Sequence, residues 1–403
     1  MRDANRPSVR ATPASQLIPL KYNLRSLVVR KTTSLMTAAG VAMVVMIVVL
    51  LLSLVGGLRA SLELAVEPHN WMVLSRGTSS EVESYIPREQ YDVLRTRKEI
   101  ATDASGAALI SPEMVASFNA AVRRPAQQFQ PAYLRGVYPI AYLVHKNLKL
   151  TAGRWPAPGR EEMAIGRKQA ERFPELGIGS TFRYGRRNWT IVGVFSDHGS
   201  ARESEFWTDL DVLEQDARFE NAYSSIHVVL NPGMQDSFRD ALSKNVQLTV
   251  DLMSERDFYA SQAVLADHLR SLVMIVALIV GIGATFGGMN TMYAAVAHRS
   301  REVGVLRALG FKRSQVLTSF LVESVIIALA GGLAGIVAAL AVSIATALGD
   351  RQLRVGAILF SSHFSWMIFV EGILTAIAIG IAGGILPAWR AGRIGVIDSL
   401  REA

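Results

Sequence analysis

The 403-residue chain contains no cysteine, which excludes disulfides, thiol catalysis and cysteine-ligated metal. It holds no G-x-x-x-x-G-K-[ST], and no glycine is followed by lysine anywhere, so it carries no P-loop to grip a nucleoside triphosphate and is not read as an enzyme. Histidine is sparse: the seven residues show no H-E-x-x-H and no i, i+4 pair, so spacing gives no support to a metal site. Charge is missing from whole stretches. Residues 32–58 and 271–297 have none, 314–349 are interrupted only by Glu323, and 365–389 only by Glu371.

Each of these stretches exceeds the ~20 residues that a helix needs to cross a bilayer core, so four transmembrane helices are expected. The first has an apolar core longer than the ~7–15 residues of a signal peptide and is read as an uncleaved anchor. Half of the residues are apolar and the mean hydropathy is +0.26, in keeping with a partly membrane chain.

The net charge of +8 is placed unevenly. Arg2, Arg6, Arg10, Lys21, Arg25, Arg30 and Lys31 precede the first span; Arg299, Arg301, Arg307, Lys312 and Arg313 lie between the second and third; Arg390, Arg393 and Arg401 follow the fourth. With four spans these all fall on one side. The positive-inside pattern then predicts cytoplasmic termini in a multi-pass protein of a bacterial inner membrane. Basic residues in those positions suit anionic membrane lipids better than nucleic acid, which is not expected as a partner.

The fold class expected is therefore membrane α-helical, with a mixed α/β extracytoplasmic domain between spans one and two. The predicted order is a cytoplasmic N-terminal segment (1–31), span one (32–58), the extracytoplasmic domain (59–268), span two (269–297), a cytoplasmic loop helix (298–313), span three (314–349), an external loop (350–363), span four (364–389) and a cytoplasmic tail (390–403). "LIPLKYNLRSLVVRK" before span one has Leu20, Leu24, Leu27 and Val28 at helical spacing, as an interfacial helix would. In the external domain "NWMVLSRG", "YLRGVYPIA", "EEMAIG" and "YSSIHVVL" predict strands, and "TFRYGRRNWTIVGVF" a hairpin turning at Gly185 to Asn188. Asn231 before Pro232 predicts a helix start. "ERDFYASQAVLADHLRS" runs into span two without glycine or proline, so one helix can continue through it.

Several residues stand out as candidates. "SDHGS" at 196–200 sets Ser, Asp and His side by side, but a catalytic triad converges from separate elements, and a polar turn is the better reading. Glu323 and Glu371 are the carboxylates inside the spans; two isolated acids make no proton path, so a structural role is expected for Glu323, while Glu371 carries no assignment. Gly283 with Gly287, Gly331 with Gly335 and Gly380 with Gly384 have the small-xxx-small spacing that lets helices approach closely in lipid. Between spans two and three, "REVGVLRALGFKRSQ" predicts a short helix capped by Ser300, with Glu302 in its first turn, Val303, Leu306 and Leu309 on one face, and Gly310 at its end. Gly304 within so short a helix costs ~1 kcal/mol and asks for a packing reason. The helix is either an interfacial loop or a docking plug for a cytoplasmic partner.

At these residues the sequence resembles the FtsX-like permeases of ABC transporters, the group that includes MacB, the lipoprotein-releasing LolC and LolE, FtsX and DevC. "REVGVLRALGFKRSQVLTSFLVESVIIALAGGLAGIVAAL" is similar to the group's signature R-E-[IV]-G-[IVL]-L-[RK]-A-[LI]-G and glycine-rich third span. "LTAGRWPAPGREEMAIGRKQA" with "WTIVGVF" looks like its external core, and "LPAWRAGRIGVIDSLREA" like its exit motif, with Val396 in place of the usual second proline. The resemblance implies a dimer with a second permease copy or paralogue, driven by a separate cytoplasmic ABC ATPase that binds the ATP, no ATPase domain being fused here. It implies no cofactor of the chain's own. It also implies that Glu302, Gly304, Val305, Leu306, Arg307 and Leu309 contact that ATPase, and that the external domain meets a periplasmic adaptor or membrane-fusion protein. The implied function is mechanical: export or extraction of a lipid, peptide or drug. The alternative is an FtsX-like module that switches a cell-wall hydrolase without transport.

Overall fold

The computed structural model describes residues 31–122, 128–217, 221–348 and 353–393. But for Lys31, the helix expected in "LIPLKYNLRSLVVRK" and the tail beyond Arg393, Val396 included, lie outside the described residues. In chain order come α1 (Lys31–Glu63), β1 (Asn70–Ser75), β2 (Ile86–Pro87), α2 (Arg88–Leu94), β3 (Ile110–Val122), β4 (Gln128–Val137), α3 (Ala141–Val144), β5 (Lys149–Gly153), β6 (Glu162–Gly166) and α4 (Arg167–Arg172). Then follow β7 (Thr181–Tyr184), β8 (Arg187–Ser196), a 3-10 turn (Ala201–Ser204), β9 (Glu205–Asp209), α5 (Leu210–Ala217), β10 (Ala222–Tyr223), β11 (Ser225–Val229), α6 (Gln235–Lys244) and β12 (Val250–Ser254). The last are α7 (Glu255–His298), α8 (Ser300–Ala308), α9 (Arg313–Leu348), β13 (Leu353–Val355), β14 (Ile358–Phe360) and α10 (Trp366–Arg393).

Contacts divide the chain into two compact units, one of Leu54–Arg270 with Ile344–His363, the other of the remaining residues. The first is a mixed α/β domain on a ten-stranded sheet ordered β12-β1-β11-β3-β4-β9-β6-β8-β5, with β7 beside β8. Among the described residues only β4–β9 and β6–β8 pair in parallel. β8 shows why its sequence makes a strand: Trp189, Ile191 and Phe195 alternate inward with less buried neighbours, the period of two that puts one face on the core. β6, β9 and β11 are buried on every residue, as central strands are. Phe118, Phe182 and Phe206 meet with ring centroids 5.6–5.8 Å apart in that core.

Two starts differ from expectation. Asn231 and Pro232 form a turn, stapled by Met234 N–H donating to Asn231 O at 3.0 Å, and the helix begins at Gln235. The β7–β8 hairpin turns on Gly185 and Arg186 alone, Gly185 taking φ +59°, so Arg187 and Asn188 already pair with Tyr184 and Arg183. "SDHGS" is a turn after β8. Lys168 in α4 is buried against it: its ammonium donates to Gly199 O at 2.6 Å, Ser200 O at 3.0 Å, Ser61 Oγ at 3.0 Å and Leu359 O at 3.2 Å. One side chain thus ties α1, the turn and the β13–β14 hairpin together.

The second unit is helical. Among the described residues α1, α7, α9 and α10 are the four helices long and apolar enough to cross a membrane, and α7 is one uninterrupted helix of 44 residues. Their closest approaches within this unit fall at small residues. A Cβ built on Gly331 or Gly335 would lie 2.4 Å from the carbonyl oxygen of Ala38 or Ala42 in α1, so both glycines are required by backbone approach. Thr37 and Thr291 share a hydrogen bond of 2.8 Å between α1 and α7.

Candidate functional site

α8 follows α7 immediately, and its position is set by its own burial pattern. Val303 and Gly304 are buried, Val303 in a cluster with Met292, Val296, Val316, Phe320, Ala388 and Ala391. Leu306 and Arg307 are half-buried, Arg307 Nη1 donating to Phe311 O at 3.1 Å. Arg301, Glu302, Val305 and Leu309 are exposed, Leu309 at 72%. Of the six residues that the sequence singled out here, Glu302, Val305 and Leu309 are exposed, Leu306 and Arg307 are half-buried, and Gly304 is buried. Gly310, at φ +95°, ends the helix in the left-handed conformation.

The cap is not Ser300. Arg299 occupies that position, its guanidinium donating to Glu323 Oε2 at 2.9 Å and to Glu302 Oε2 at 3.0 Å and lying 5.3 Å from the Phe320 ring centroid. Arg299 and Glu323 are both buried, so the pair clamps the start of α8 to α9. Sequence reading had noticed Glu323 and missed Arg299, which looked like one more basic loop residue; an acid ten residues past the end of a basic loop was the available signal.

The packing glycines divide. Gly380 and Gly384 lie against Ala328 and Ser324 of α9, and Ser324 Oγ donates to Gly380 O at 2.7 Å. Gly331 and Gly335 meet α1, whereas Gly283 and Gly287 have nothing within 4 Å of an added Cβ and meet no neighbour among the described residues. Glu371 is half-buried on α10, its backbone carbonyl accepting from Thr375 Oγ1 at 2.7 Å.

The sheet domain holds a second charged assembly that spacing did not suggest. Arg135 on β4, 3% exposed, donates to Glu205 Oε2 at 2.7 Å, Glu113 Oε2 at 2.7 Å and Glu81 Oε1 at 2.8 Å. His227 on β11 sets Nδ1 3.1 Å from Glu255 Oε1, and His145 sets Nε2 2.8 Å from Glu113 Oε1. Arg202 Nη2 donates to the same Glu255 oxygen at 2.9 Å, and its Nη1 donates to Asp197 Oδ2 at 3.3 Å. Burial alone would raise Glu81, but the charge of Arg135 and the hydrogen bond from His227 outweigh it and hold the carboxyl well below its usual range. Glu255 is likewise held down at about 2, burial being outweighed by Arg202 and His227. Burial would lower His227, yet Glu113, Glu255 and Glu81 push it up to about 10.

Four candidate spanning helices, a mixed α/β domain and a short helix clamped between the second and third spans define a multi-pass membrane protein of the ABC permease type. Family models match it in two blocks: the MacB-like periplasmic core domain over residues 34–245 and the FtsX-like permease C-terminal region over residues 274–396. The first covers more than half of the chain, and the chain belongs to this family of MacB-like, FtsX-like ABC transporter permeases.

Among relatives, it is 36% identical over 133 residues to the uncharacterized ABC transporter permease YknZ of Bacillus subtilis, covering 32% of each chain. It is 24% identical over 241 residues to the uncharacterized ABC transporter permease MJ1507 of Methanocaldococcus jannaschii, covering 56% of this chain and 58% of that one. To the macrolide export ATP-binding/permease protein MacB of Bdellovibrio bacteriovorus it is 27% identical over 243 residues, 56% of this chain and 36% of the relative. The chain thus spans from about a third to 58% of the length of these relatives. The periplasmic region of MacB from Actinobacillus actinomycetemcomitans aligns with 49% of this chain and 94% of its own, at 13% identity and a TM-score of 0.39.

Proposed function

We propose that the chain is the membrane subunit of an ABC transporter that converts ATP-driven closure of a separate cytoplasmic ATPase into movement of an extracytoplasmic sheet domain, exporting or extracting a lipid, peptide or drug. The observation that carries this reading is α8: an exposed face of Glu302, Val305 and Leu309 on a helix whose opposite side, Val303 and Gly304, is buried. A loop helix that merely floated in the interface would need no buried ion pair at its start; Arg299–Glu323 gives a pull on α8 a path into α9. The printed names of the MacB relatives, macrolide export ATP-binding/permease proteins, support transport over switching of a hydrolase.

In this reading the termini and α8 are cytoplasmic, the membrane is the bacterial inner membrane, and the permease works as a dimer with a second copy or paralogue. ATP binds the partner ATPase, an adaptor or membrane-fusion protein meets the sheet domain, and anionic lipids meet the basic segments. The test is Leu309→Glu, at an exposed position where the fold tolerates charge. The variant should insert and purify normally yet lose its ATPase on co-purification. Undiminished co-purification and ATP turnover sink the proposal.

A further inference from the structure

We propose that the sheet domain binds one divalent transition-metal ion of the zinc class through Glu113, His145 and His227. The three residues are far apart in sequence and come from β3, the residue after α3, and β11; one ligand atom of each lies within 4.8 Å of the others, and all three are buried. Glu113 Oε1 is 2.8 Å from His145 Nε2, and Glu113 Oε2 is 3.6 Å from His227 Nε2. Tetrahedral ligands bound at ~2.0–2.2 Å stand ~3.3 Å from one another, so small rotations suffice to close the set.

The orientation of the two rings matters more than the distances. Both turn Nε2 toward Glu113, and both turn Nδ1 toward a single oxygen, Glu255 Oε1, at 3.1 Å from His227 and 3.9 Å from His145. An imidazole that ligates through one nitrogen characteristically gives its other N–H to a carboxylate, which fixes the tautomer and aims the lone pair. Here one carboxylate serves both rings. His145 Nδ1 is buried and makes no hydrogen bond among the described residues, as a donor awaiting a slight closure onto Glu255 would be. Glu113 is held in turn by Arg135 at Oε2 and by Ser111 Oγ at 3.0 Å from Oε1.

Charge gives an independent reason. Glu81, Glu113, Glu205 and Glu255 face two guanidinium groups, Arg135 and Arg202, and the second is shared with Asp197. The carboxylates of this buried cluster therefore outnumber its guanidinium groups, and a dication would offset the excess. Arg135 opposes the ion, but its charge is spread over three carboxylates. Glu81 Oε1, 3.4 Å from His227 Nε2, can supply a fourth ligand, and Glu81 also lines a cavity of about 90 Å³. Donors of imidazole nitrogen and carboxylate oxygen suit zinc, cobalt or nickel rather than magnesium or calcium.

The test uses the full chain in detergent, free of any polyhistidine tag, stripped with chelator and titrated with Zn²⁺ against a chromophoric competitor, with Mg²⁺ as control. One zinc per chain is expected, together with a rise in unfolding temperature that chelator reverses. His145→Gln and His227→Gln should abolish the binding, and Glu255→Gln, which removes only the orienting acceptor, should weaken it about 10–100-fold. Co²⁺ should give the intense visible bands of a four-coordinate nitrogen and oxygen site, a readout that does not depend on any variant folding. Absence of stoichiometric zinc binding, equal binding by folded His145→Gln and His227→Gln, or the weak spectrum of six-coordinate cobalt overturns the proposal and leaves the cluster as a salt-bridge network alone.

Discussion

The helical unit and the sheet domain solve the same problem of cohesion with opposite materials. In the helices the closest contacts are made by residues with almost no side chain: Gly331 and Gly335 against the carbonyls of Ala38 and Ala42, Gly380 and Gly384 against Ala328 and Ser324. Among the described residues charge enters there as the buried pair of Arg299 with Glu323. The sheet domain instead buries large side chains, Trp189, Trp207, Phe195 and Phe206 among them, around a charge network centred on Arg135. Lipid gives apolar helices no reason to leave it, so backbone proximity has to supply the attraction; water does drive large apolar groups inward, and a domain with that drive can carry a costly polar centre.

The contrast is broken most severely at Arg135. Arg135→Met leaves Glu81, Glu113 and Glu205 without their shared cation, and the sheet domain should lose about 3–5 kcal/mol. Denaturation followed by tryptophan fluorescence reads it directly, since Trp207 lies 5.9 Å from the guanidinium. A loss below about 1 kcal/mol would mean that the carboxylates are neutralised in some other way.

Glycine supplies the next test, on the helical side. Gly335→Ala should cost about 1–3 kcal/mol by overpacking against α1. Gly287→Ala, in the open, should be neutral or stabilise by up to about 1 kcal/mol through helix propensity. Thermal aggregation in detergent ranks the two. Equal losses at both positions would show that Gly287 also meets a neighbour, one outside the described residues.

Lys168 gives a smaller effect with a distinctive pH signature. Burial lowers its folded pKa from 10.5 to about 8. Between those values the folded protein has released a proton that the unfolded chain still holds, so stability rises with pH across that window. Lys168→Met should remove this slope, visible as a difference between variant and parent in denaturant midpoints from pH 7.5 to 10.5. Parallel midpoint curves would contradict it. Least of all should happen at Glu63→Ala: its ion pair with Arg59 is more than half exposed on both sides, and a change of about 0.5 kcal/mol or less is expected in the same assay.

The four spans and the mixed α/β domain were legible because periodicity and long charge-free runs are local properties. So were β8, from its alternation, and the end of α8, from Gly310. Helix starts were not: Asn231 before Pro232 carries a start signal that the turn to Met234 absorbs, and Ser300 gave way to an arginine held by an acid 24 residues on. The face that each residue of "REVGVLRALG" presents could not be read either, since it depends on what α7, α9 and α10 bring to it. Least legible was the Glu113–His145–His227 cluster. Seven histidines without a motif say nothing about a sheet that sets β3 beside β11 and so makes residues over a hundred positions apart into neighbours.

The Lys168 latch holds the β13–β14 hairpin only by main-chain atoms. Its ammonium donates to the carbonyl at 359 whatever residue supplies it, and Ser204 Oγ accepts from Leu359 N–H at 2.9 Å and donates to Leu359 O at 3.3 Å. The tie itself therefore sets no side-chain requirement on the hairpin; Leu359 and Phe360 are constrained instead by their own burial. A search among relatives for paired substitutions would therefore pass over this connection, since nothing on the hairpin side of it depends on residue type.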